Sequence, residues 1–302
     1  MVELFIEGPK GDEFFESLKK STRLFHRRDL IEAQWQQYKI FCGDPDNFRN
    51  LFRNSFVAMH WEIYVFNVLR DHDYKLIKVD GHGPDILVED ERGKIWIECV
   101  APNAGSPPNG ISFQRTKSGL TRARQWSECS YKLRYAQAIA SKIEKFAEYI
   151  CDGIVTPADR CVIAVSGGAL PDADWEDDIP IVTKMFFGIG KEYATIDSES
   201  GDLLEGGYHQ EDDVGKQNGS KVGTALVYTD AFRPIAGVLH STRSWAAPDT
   251  SGGDLHFTHN PACTNPIALS TFGFGWERWV DREIFRDGEH ASLITKSHRH
   301  SQ

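Results

Sequence analysis

The chain has 302 residues, of which 40% are hydrophobic and 26% are charged, with a formal net charge of -10 and a pI near 5.6. This composition is that of an ordinary globular protein, and the length suits one large domain or two small ones. The acidity excludes a generic nucleic-acid coat, because non-specific affinity depends on neutralising phosphates with basic residues, although a local basic groove stays compatible with it. No apolar run approaches the roughly 20 residues of a membrane span, so we expect no membrane partner.

The N-terminal residues, MVELFIEGPKGDEFF, lack the basic start and apolar core of a signal peptide. The six cysteines form no CxxC pair and show no zinc-finger spacing with histidine. Both observations favour a reducing, cytoplasmic setting.

Residues 12–70 are predicted to be mainly helical. A break at residues 41–46, which contain Gly43 and Pro45, divides this segment, and Asp46 or Asn47 could cap the helix that follows. The helices before residue 55 could pack on the rest of the protein or mediate a homodimer, and the sequence leaves both open.

Residues 54–69 predict an apolar helix in which Glu62 is the only Asp, Glu, Lys or Arg. Ala58, Glu62, Val65 and Leu69 share one face of it by their spacing. Glutamate is rarely buried without a partner, so Glu62 is a candidate functional residue. The alternative is a glutamate at the rim of the apolar stripe, or one paired with a buried His or Arg.

Three strands are predicted next. Tyr74–Val79 is the first, and Ile86–Val88 and Lys94–Val100 form a hairpin around a polar, glycine-containing connection. If the turn centres between residues 91 and 92, Asp85 faces Glu98 directly across the ladder.

Directly opposed carboxylates need a physical reason, because like charges at a Cβ separation of roughly 4.5–5.5 Å are destabilising. A divalent cation supplies one, since Mg²⁺ is held by one or two carboxylates together with water and phosphate oxygens. Asp85 and Glu98 are therefore candidate ligands of Mg²⁺, with Mn²⁺ as a substitute. If the register is shifted by one residue, the two side chains point to opposite faces and no such site exists.

A loop rich in Pro, Gly and Asn covers residues 101–110 and follows the presumed metal strand. Basic residues outnumber acidic ones from residue 115 to residue 145. Such a segment beside the carboxylates is expected to bind the phosphates of nucleic acid, whereas a solvated charged loop is the alternative. The predicted nucleic-acid contacts are Arg115, Lys117, Arg122, Arg124 and Arg134.

Residues 131–150 predict an amphipathic helix, and residues 160–168 predict a buried strand. Lys142 falls on the flank of the helix's apolar stripe, taken to include Ala140 and Ala147, whereas Arg134 and Lys145 are expected on the opposite, solvated face. The two glycines that end the strand match no phosphate-binding fingerprint.

Residues 171–220 are acidic and glycine-rich and predict surface loops around one apolar piece, Ile179–Tyr193. Three later runs, Thr224–Tyr228, Ile235–Leu239 and Leu255–His259, predict strands that extend the central sheet or form a second one. His256 and His259 would face opposite sides of the last strand, so we interpret them as structural.

The pattern of a helical Glu62, then Pro84-Asp85, then Glu98-x-Val100 after a hairpin resembles the PD-(D/E)xK nuclease superfamily. The resemblance covers about residues 55–168. It implies a restriction-endonuclease-like αβββαβ core, in which Asp85 and Glu98 hold Mg²⁺. Glu62 matches a helical Glu of many members and is expected to be the third metal residue, completing the shell or holding a water. The superfamily's lysine position is occupied by Val100 instead.

Some members of the superfamily carry the functional lysine on the following helix, and Lys142 would fit that migration. A lysine that merely extends its ammonium to solvent from the edge of the stripe is the alternative. The resemblance would make Glu62, Asp85, Glu98 and Lys142 the catalytic residues.

The sequence thus predicts an α/β protein with a restriction-endonuclease-like αβββαβ core, a mixed central sheet, N-terminal helices and a C-terminal mixed α/β extension. Its parts are an N-terminal helical segment (1–54) packed on the core, a nuclease-like core (55–168) and an extension (169–302) of the same globular unit. The expected function is metal-dependent hydrolysis of nucleic acid, with DNA as the expected substrate. The alternative is a catalytically inactive nuclease-fold protein that binds nucleic acid or protein.

Overall fold

Four helices precede the first strand in the computed structural model, which describes residues 3–5, 7–79, 81–111, 127–176, 178–246, 251–280 and 293–298. The helices of the described chain are α1 (Glu13–Lys20), α2 (Phe25–Tyr38), α3 (Pro45–Asn54), α4 (Phe56–Asp71), α5 (Glu128–Cys151) and α6 (Ile181–Phe187). None of these helices combines the length and the apolar composition that a membrane crossing requires.

The cap of α3 differs from the prediction. Asp44, rather than Asp46 or Asn47, is the N-cap, and its carboxylate accepts a hydrogen bond of 3.0 Å from the backbone N–H of Asn47. Pro45 then occupies the start of the helix, where its missing N–H costs nothing. The prediction was wrong because Pro45 was treated as part of the break, although proline is favoured in the first turn of a helix.

Eight of the strands form one mixed sheet in the order β1-β2-β3-β4-β9-β10-β11-β12. The described strands are β1 (Lys75–Ile77), β2 (Ile86–Asp90), β3 (Gly93–Val100), β4 (Arg160–Ser166), β5 (Ile189–Ile196), β6 (Leu203–Gln210), β7 (Asp213–Gly215), β8 (Lys221–Gly223), β9 (Ile235–Ser241), β10 (His256–His259), β11 (Trp276–Val280) and β12 (Leu293–Ser297). β1, β2 and β3 are antiparallel neighbours, whereas β3, β4 and β9 run parallel. Their carboxyl ends therefore meet at one edge of the sheet.

The hairpin register is the predicted one. Ile86 pairs with Ile97 and Asp90 pairs with Gly93, so the connection is the two residues 91 and 92. This register places Asp85 opposite Glu98 one step beyond the last paired residues.

The sheet separates two apolar layers. Ile97 and Cys99 of β3 pack with the N-terminal helices and α4, and Trp96 packs with α5 and α6 on the other face. Trp35 of α2 and Phe52 of α3 are fully buried in the first layer. Helix α4 packs on the sheet, and α1, α2 and α3 pack on α4. The N-terminal segment therefore packs on the core, which is one of the two arrangements that the sequence left open, and a homodimer stays a prediction.

The C-terminal half extends the central sheet through β9 and β10, but two predictions within it were wrong. Residues 224–228 contain a short 3₁₀ turn, Leu226–Tyr228, instead of a strand, because Ala225 adopts a left-handed φ of 55° and its N–H donates to the carbonyl of Met185. The acidic region 171–220 contains the β5–β6 hairpin and the first strand of the β7–β8 hairpin, rather than loops alone. Their exposed faces account for the polar composition that suggested loops.

The two histidines of β10 have separate partners, in keeping with their structural interpretation. His259 contacts the carboxylate of Glu277 at 2.6 Å, and His256 contacts the guanidinium of Arg278.

Candidate active site

The two predicted metal ligands lie together at the carboxyl end of β3. Glu98 is 0% exposed and faces the α5 side of the sheet. Asp85 is half-buried just before β2, and its Oδ2 accepts a hydrogen bond of 2.7 Å from the backbone N–H of Cys99. The antiparallel pairing of β2 with β3 thus supplies both carboxylates and the N–H that orients one of them.

Helix α5 brings two lysines to Glu98. The Nζ of Lys142 lies 2.7 Å and the Nζ of Lys145 lies 3.0 Å from the same oxygen, Oε1. The structure therefore brings Lys142 to the predicted site. It corrects the prediction for Lys145, which was expected on the solvated face: the side chain is 47% exposed, yet its ammonium reaches the carboxylate.

The error arose from the choice of apolar stripe on α5. Ala140 and Ala147 were taken as core residues but are exposed, whereas Tyr135 and Phe146 are buried. Alanine favours helices without requiring burial, so the aromatic residues mark the face that meets the sheet. On that face Lys142 lies between Tyr135 and Phe146, and a residue three positions later is its neighbour.

Glu62 is buried in α4 and accepts a hydrogen bond from the hydroxyl of Tyr38. Burial, and then the nearby charge of Asp85, raise the pKa of Glu62 well above its ordinary value, although the Tyr38 hydroxyl opposes the shift. Glu98 adds to the increase. Glu62 thus stands beside the two opposed carboxyl groups with its own hydrogen-bond donor.

The environment also changes the proton affinity of Asp85. Burial, followed by the charge of Glu98, raises the pKa of Asp85 to about 7, while Lys142 and the Cys99 N–H act in the other direction. Burial disfavours the charged form of Lys145 and so lowers its pKa. The negative charge of Glu98 and the hydrogen bonds to Glu98 and Tyr149 outweigh this effect, so the pKa of Lys145 is raised. Two ammonium groups therefore contact Glu98, while the neighbouring carboxyl groups of Asp85 and Glu62 hold protons more tightly than usual.

The donor set suits a divalent cation only as a two-carboxylate site. Among the described residues, no group of three or more His, Cys, Asp or Glu side chains could hold a metal ion. Glu98 offers its Oε2, a buried acceptor without a hydrogen-bond partner in the described chain. Carboxylate oxygens are the ligands that Mg²⁺ and Mn²⁺ prefer. Asp85 and Glu98 therefore fit such an ion if water or substrate oxygens complete its shell, with Glu62 outside the ligand set.

Four of the five predicted nucleic-acid contacts lie outside the described residues: Arg115, Lys117, Arg122 and Arg124. Arg134 lies on α5 and is half-buried, with its guanidinium against the backbone of Gly105. It was expected on a solvated face, and this detail was wrong because the loop after β3 folds over that part of the helix. Its contact with phosphates stays a prediction.

Tyr38 and Lys145 belong to the site although sequence reasoning did not place them there. The spacing from Lys142 to Lys145 was a usable signal, because residues three apart on a helix are neighbours. No local pattern relates Tyr38 to a glutamate 24 positions away.

Comparisons with protein-family models, with curated proteins and with solved structures found no match for this chain. Its function is therefore argued from the side chains of the site, since a fold alone does not determine function.

Proposed function

We propose that this chain is a divalent-metal-dependent nuclease of the PD-(D/E)xK type that hydrolyses phosphodiester bonds of nucleic acid, with DNA as its substrate. The chain order α4-β1-β2-β3-α5-β4 supports a restriction-endonuclease-like core. The antiparallel pairing of β1 to β3 and the parallel pairing of β3 with β4 are in keeping with that proposal.

One observation carries the proposal: Asp85 stands opposite Glu98 at a strand end, and Lys142 contacts Glu98 at 2.7 Å. A structural role alone does not explain this arrangement, because opposed carboxyl groups destabilise a hairpin. Val100, in the superfamily's lysine position, carries no charge. Lys142 brings an ammonium group from α5 to the same carboxylate.

Each residue of the site would have its own role in the reaction. Asp85 and Glu98 hold the metal, which when bound polarises the scissile phosphate and lowers the pKa of an attacking water. Lys142 orients that water or stabilises charge on the phosphate. Glu62, held by Tyr38, positions the neighbouring carboxyl group, and the predicted basic residues on and before α5 contact backbone phosphates.

The test is cleavage of supercoiled, linear and single-stranded DNA, and of RNA, with Mg²⁺ or Mn²⁺. We expect the wild type to cleave and Asp85→Asn and Glu98→Gln to lose activity to background. Lys142→Gln should lower the rate about 100-fold, the effect typical of removing one electrostatic stabiliser. Glu91→Gln, which removes an exposed carboxylate from the hairpin turn, is the matched control and should cleave like the wild type.

A second function is favoured by the two lysines already bound to Glu98. They neutralise the carboxylate without a metal, as in a nuclease-fold protein that has become a nucleic-acid- or protein-binding module. Calorimetry separates the functions: if neither metal binds in the presence of DNA or RNA and no substrate is cleaved, the binding module replaces the nuclease.

A further inference from the structure

The β5–β6 hairpin stands out from the rest of the protein as a two-stranded ribbon, which we call the arm. In β6 every residue is exposed except the half-buried Gly207, and in β5 every residue from Lys191 to Ile196 is exposed except the half-buried Tyr193. The two strands form a sheet of their own, separate from the eight-stranded one. An isolated two-stranded hairpin is marginally stable in water, so a surface that packs on the arm would stabilise it.

The base of the arm is fixed to α5. The ammonium group of Lys132, only 2% exposed, donates hydrogen bonds to the carbonyl of Ile189 at 3.2 Å and to the carboxylate of Glu211. The backbone N–H of Glu211 donates to the carbonyl of Gly188 at 2.8 Å. These bonds hold the first residue of β5 and the residue after β6, so both ends of the hairpin are anchored.

The two faces of the arm differ in character. Side chains alternate along a strand, and directly paired residues share a face. Ala194 pairs with Gly206, and Ile196 pairs with Leu203. One face, the apolar face, therefore has a single charge at its base and consists of Glu192, Ala194, Ile196, Leu203, Gly206 and Tyr208. The opposite face carries polar residues, among them Thr195 and Glu205.

The apolar face is open to solvent. Ile196 is 61% exposed, Leu203 is 67% exposed and Tyr208 is 39% exposed. With Leu204, the arm holds four of the ten large hydrophobic side chains that are exposed in the described chain. Single exposed hydrophobic residues are common on protein surfaces, whereas a cluster of them marks an interaction site. The arm is therefore a candidate interface.

The charge of the arm identifies the kind of partner. Residues 189–210 contain Lys191 and His209 against five acids. Three of these acids, Asp197, Glu199 and Asp202, lie in the turn at the tip. An acidic ribbon repels phosphate groups, which excludes nucleic acid and an anionic lipid surface as the partner. The apolar face suits another apolar protein face.

Gly206 lies at the centre of the apolar face, although packing within the chain does not require glycine there. A Cβ at this position would meet only the carbonyl oxygen of Tyr193, at the ordinary contact distance of 3.7 Å. The backbone of Gly206 is not in the left-handed region. Glycine weakens a strand, and in a strand interior it often marks a place where another backbone approaches closely.

We propose that the arm is a dimerisation element, in which the apolar faces of two copies of this chain pack antiparallel about a two-fold axis at Ala194 and Gly206. A two-fold interface uses one patch twice, so the patch must be compatible with itself. Here the small central residues of both copies meet, and the Ile196 and Leu203 end of one arm lies against the partner's Tyr208.

The antiparallel orientation also separates like charges. Asp197 is three residues from Ala194, so the two acidic turns lie about 20 Å apart along the ribbon, at about 3.4 Å per residue. A parallel orientation would place them side by side. The ribbon is only about 27 Å long and two strands wide, which is less surface than a stable complex buries on each partner. The dimer should therefore be reversible and depend on concentration.

The test is sedimentation velocity of the full chain from about 1 to about 100 µM, in EDTA and without nucleic acid. The wild type should shift from monomer to dimer over this range. Leu203→Lys places a charge on the apolar face, and Gly206→Val adds apolar surface but keeps the two faces apart. Each should weaken dimerisation at least tenfold. Thr195→Lys is the matched control: the same charge change in the same arm, on the opposite face, should leave dimerisation unchanged.

These three positions are exposed, so the variants should keep the fold, which circular dichroism checks. The proposal is overturned if the wild type stays monomeric at the highest concentration, the result expected if a different protein covers the arm. It is also overturned if Leu203→Lys dimerises like the wild type, since the interface would then lie elsewhere. Equal weakening by Thr195→Lys, or tighter association of Gly206→Val, would refute the close packing of the apolar faces. The dimer does not depend on the nuclease proposal, because the arm contains none of the candidate catalytic residues.

Discussion

Replacing Asp85 by Asn should stabilise the metal-free protein while it abolishes the proposed activity. The carboxyl group is half-buried beside Glu98, and its ionisation is disfavoured there. An asparagine oxygen can still accept the hydrogen bond from the Cys99 N–H, so the variant loses the charge and keeps the local contact. A surface carboxylate replaced in this way would change stability by much less.

The magnitude follows from the pKa of Asp85, which rises from 3.8 to about 7 on folding. Below about pH 3 the group is protonated in both the folded and the unfolded chain, and it contributes nothing. Between pH 4 and 7 the unfolded chain ionises more readily, so the free energy of unfolding falls as pH rises. At about 1.4 kcal/mol per pKa unit, the loss above pH 7 is up to about 4 kcal/mol.

The assay is chemical unfolding of wild type and Asp85→Asn in EDTA from pH 4 to pH 8. The two curves should coincide near pH 4 and diverge by 1–4 kcal/mol near pH 8 in favour of the variant, an order-of-magnitude range. Added Mg²⁺ should then stabilise the wild type alone, by about 2.7 kcal/mol at a hundred times its Kd. A variant that is less stable than wild type at pH 8, or equally more stable at both pH values, would refute the reasoning.

Three further predictions test other residues. The pKa of His60, which burial and then the charge of Arg27 lower to about 3 from 6.5, means that stability falls as pH drops from 6.5 towards 3, by up to roughly 5 kcal/mol; His60→Gln should flatten that decline in denaturant midpoints, and an unchanged slope would contradict it. Tyr38→Phe should lower the free energy of unfolding by about 1–3 kcal/mol, because the buried Glu62 loses its donor; calorimetric melting checks this, and an unchanged Tm argues against the bond. Asp44→Ala should cost about 1 kcal/mol and Asp46→Ala clearly less, as measured by urea unfolding; equal losses would disprove the cap.

Sequence patterns predicted the structure correctly where a single local feature, such as a turn or a helical spacing, determines it. The polar two-residue connection after β2 set the hairpin register, and that register put Asp85 opposite Glu98. Helical spacing brought Lys142 to the right face of α5. The same reasoning failed for Lys145, because exposed alanines were counted as core residues. It also failed for residues 224–228, because the left-handed backbone of Ala225 interrupts a run whose composition is typical of a strand.

The sequence by itself determined the alternation of helices and strands through residue 168 and the pairing of the two site carboxylates, because both depend on periodicity and turn length over short stretches. The tertiary structure alone determined that the Tyr38 hydroxyl donates a hydrogen bond to Glu62. It also brought Arg27 and Arg243, which are 216 positions apart in the chain, to the lining of one pocket. Such meetings depend on how helices pack across the sheet and on which strand ends share an edge. Those are properties of the whole arrangement of elements, and no local spacing encodes them.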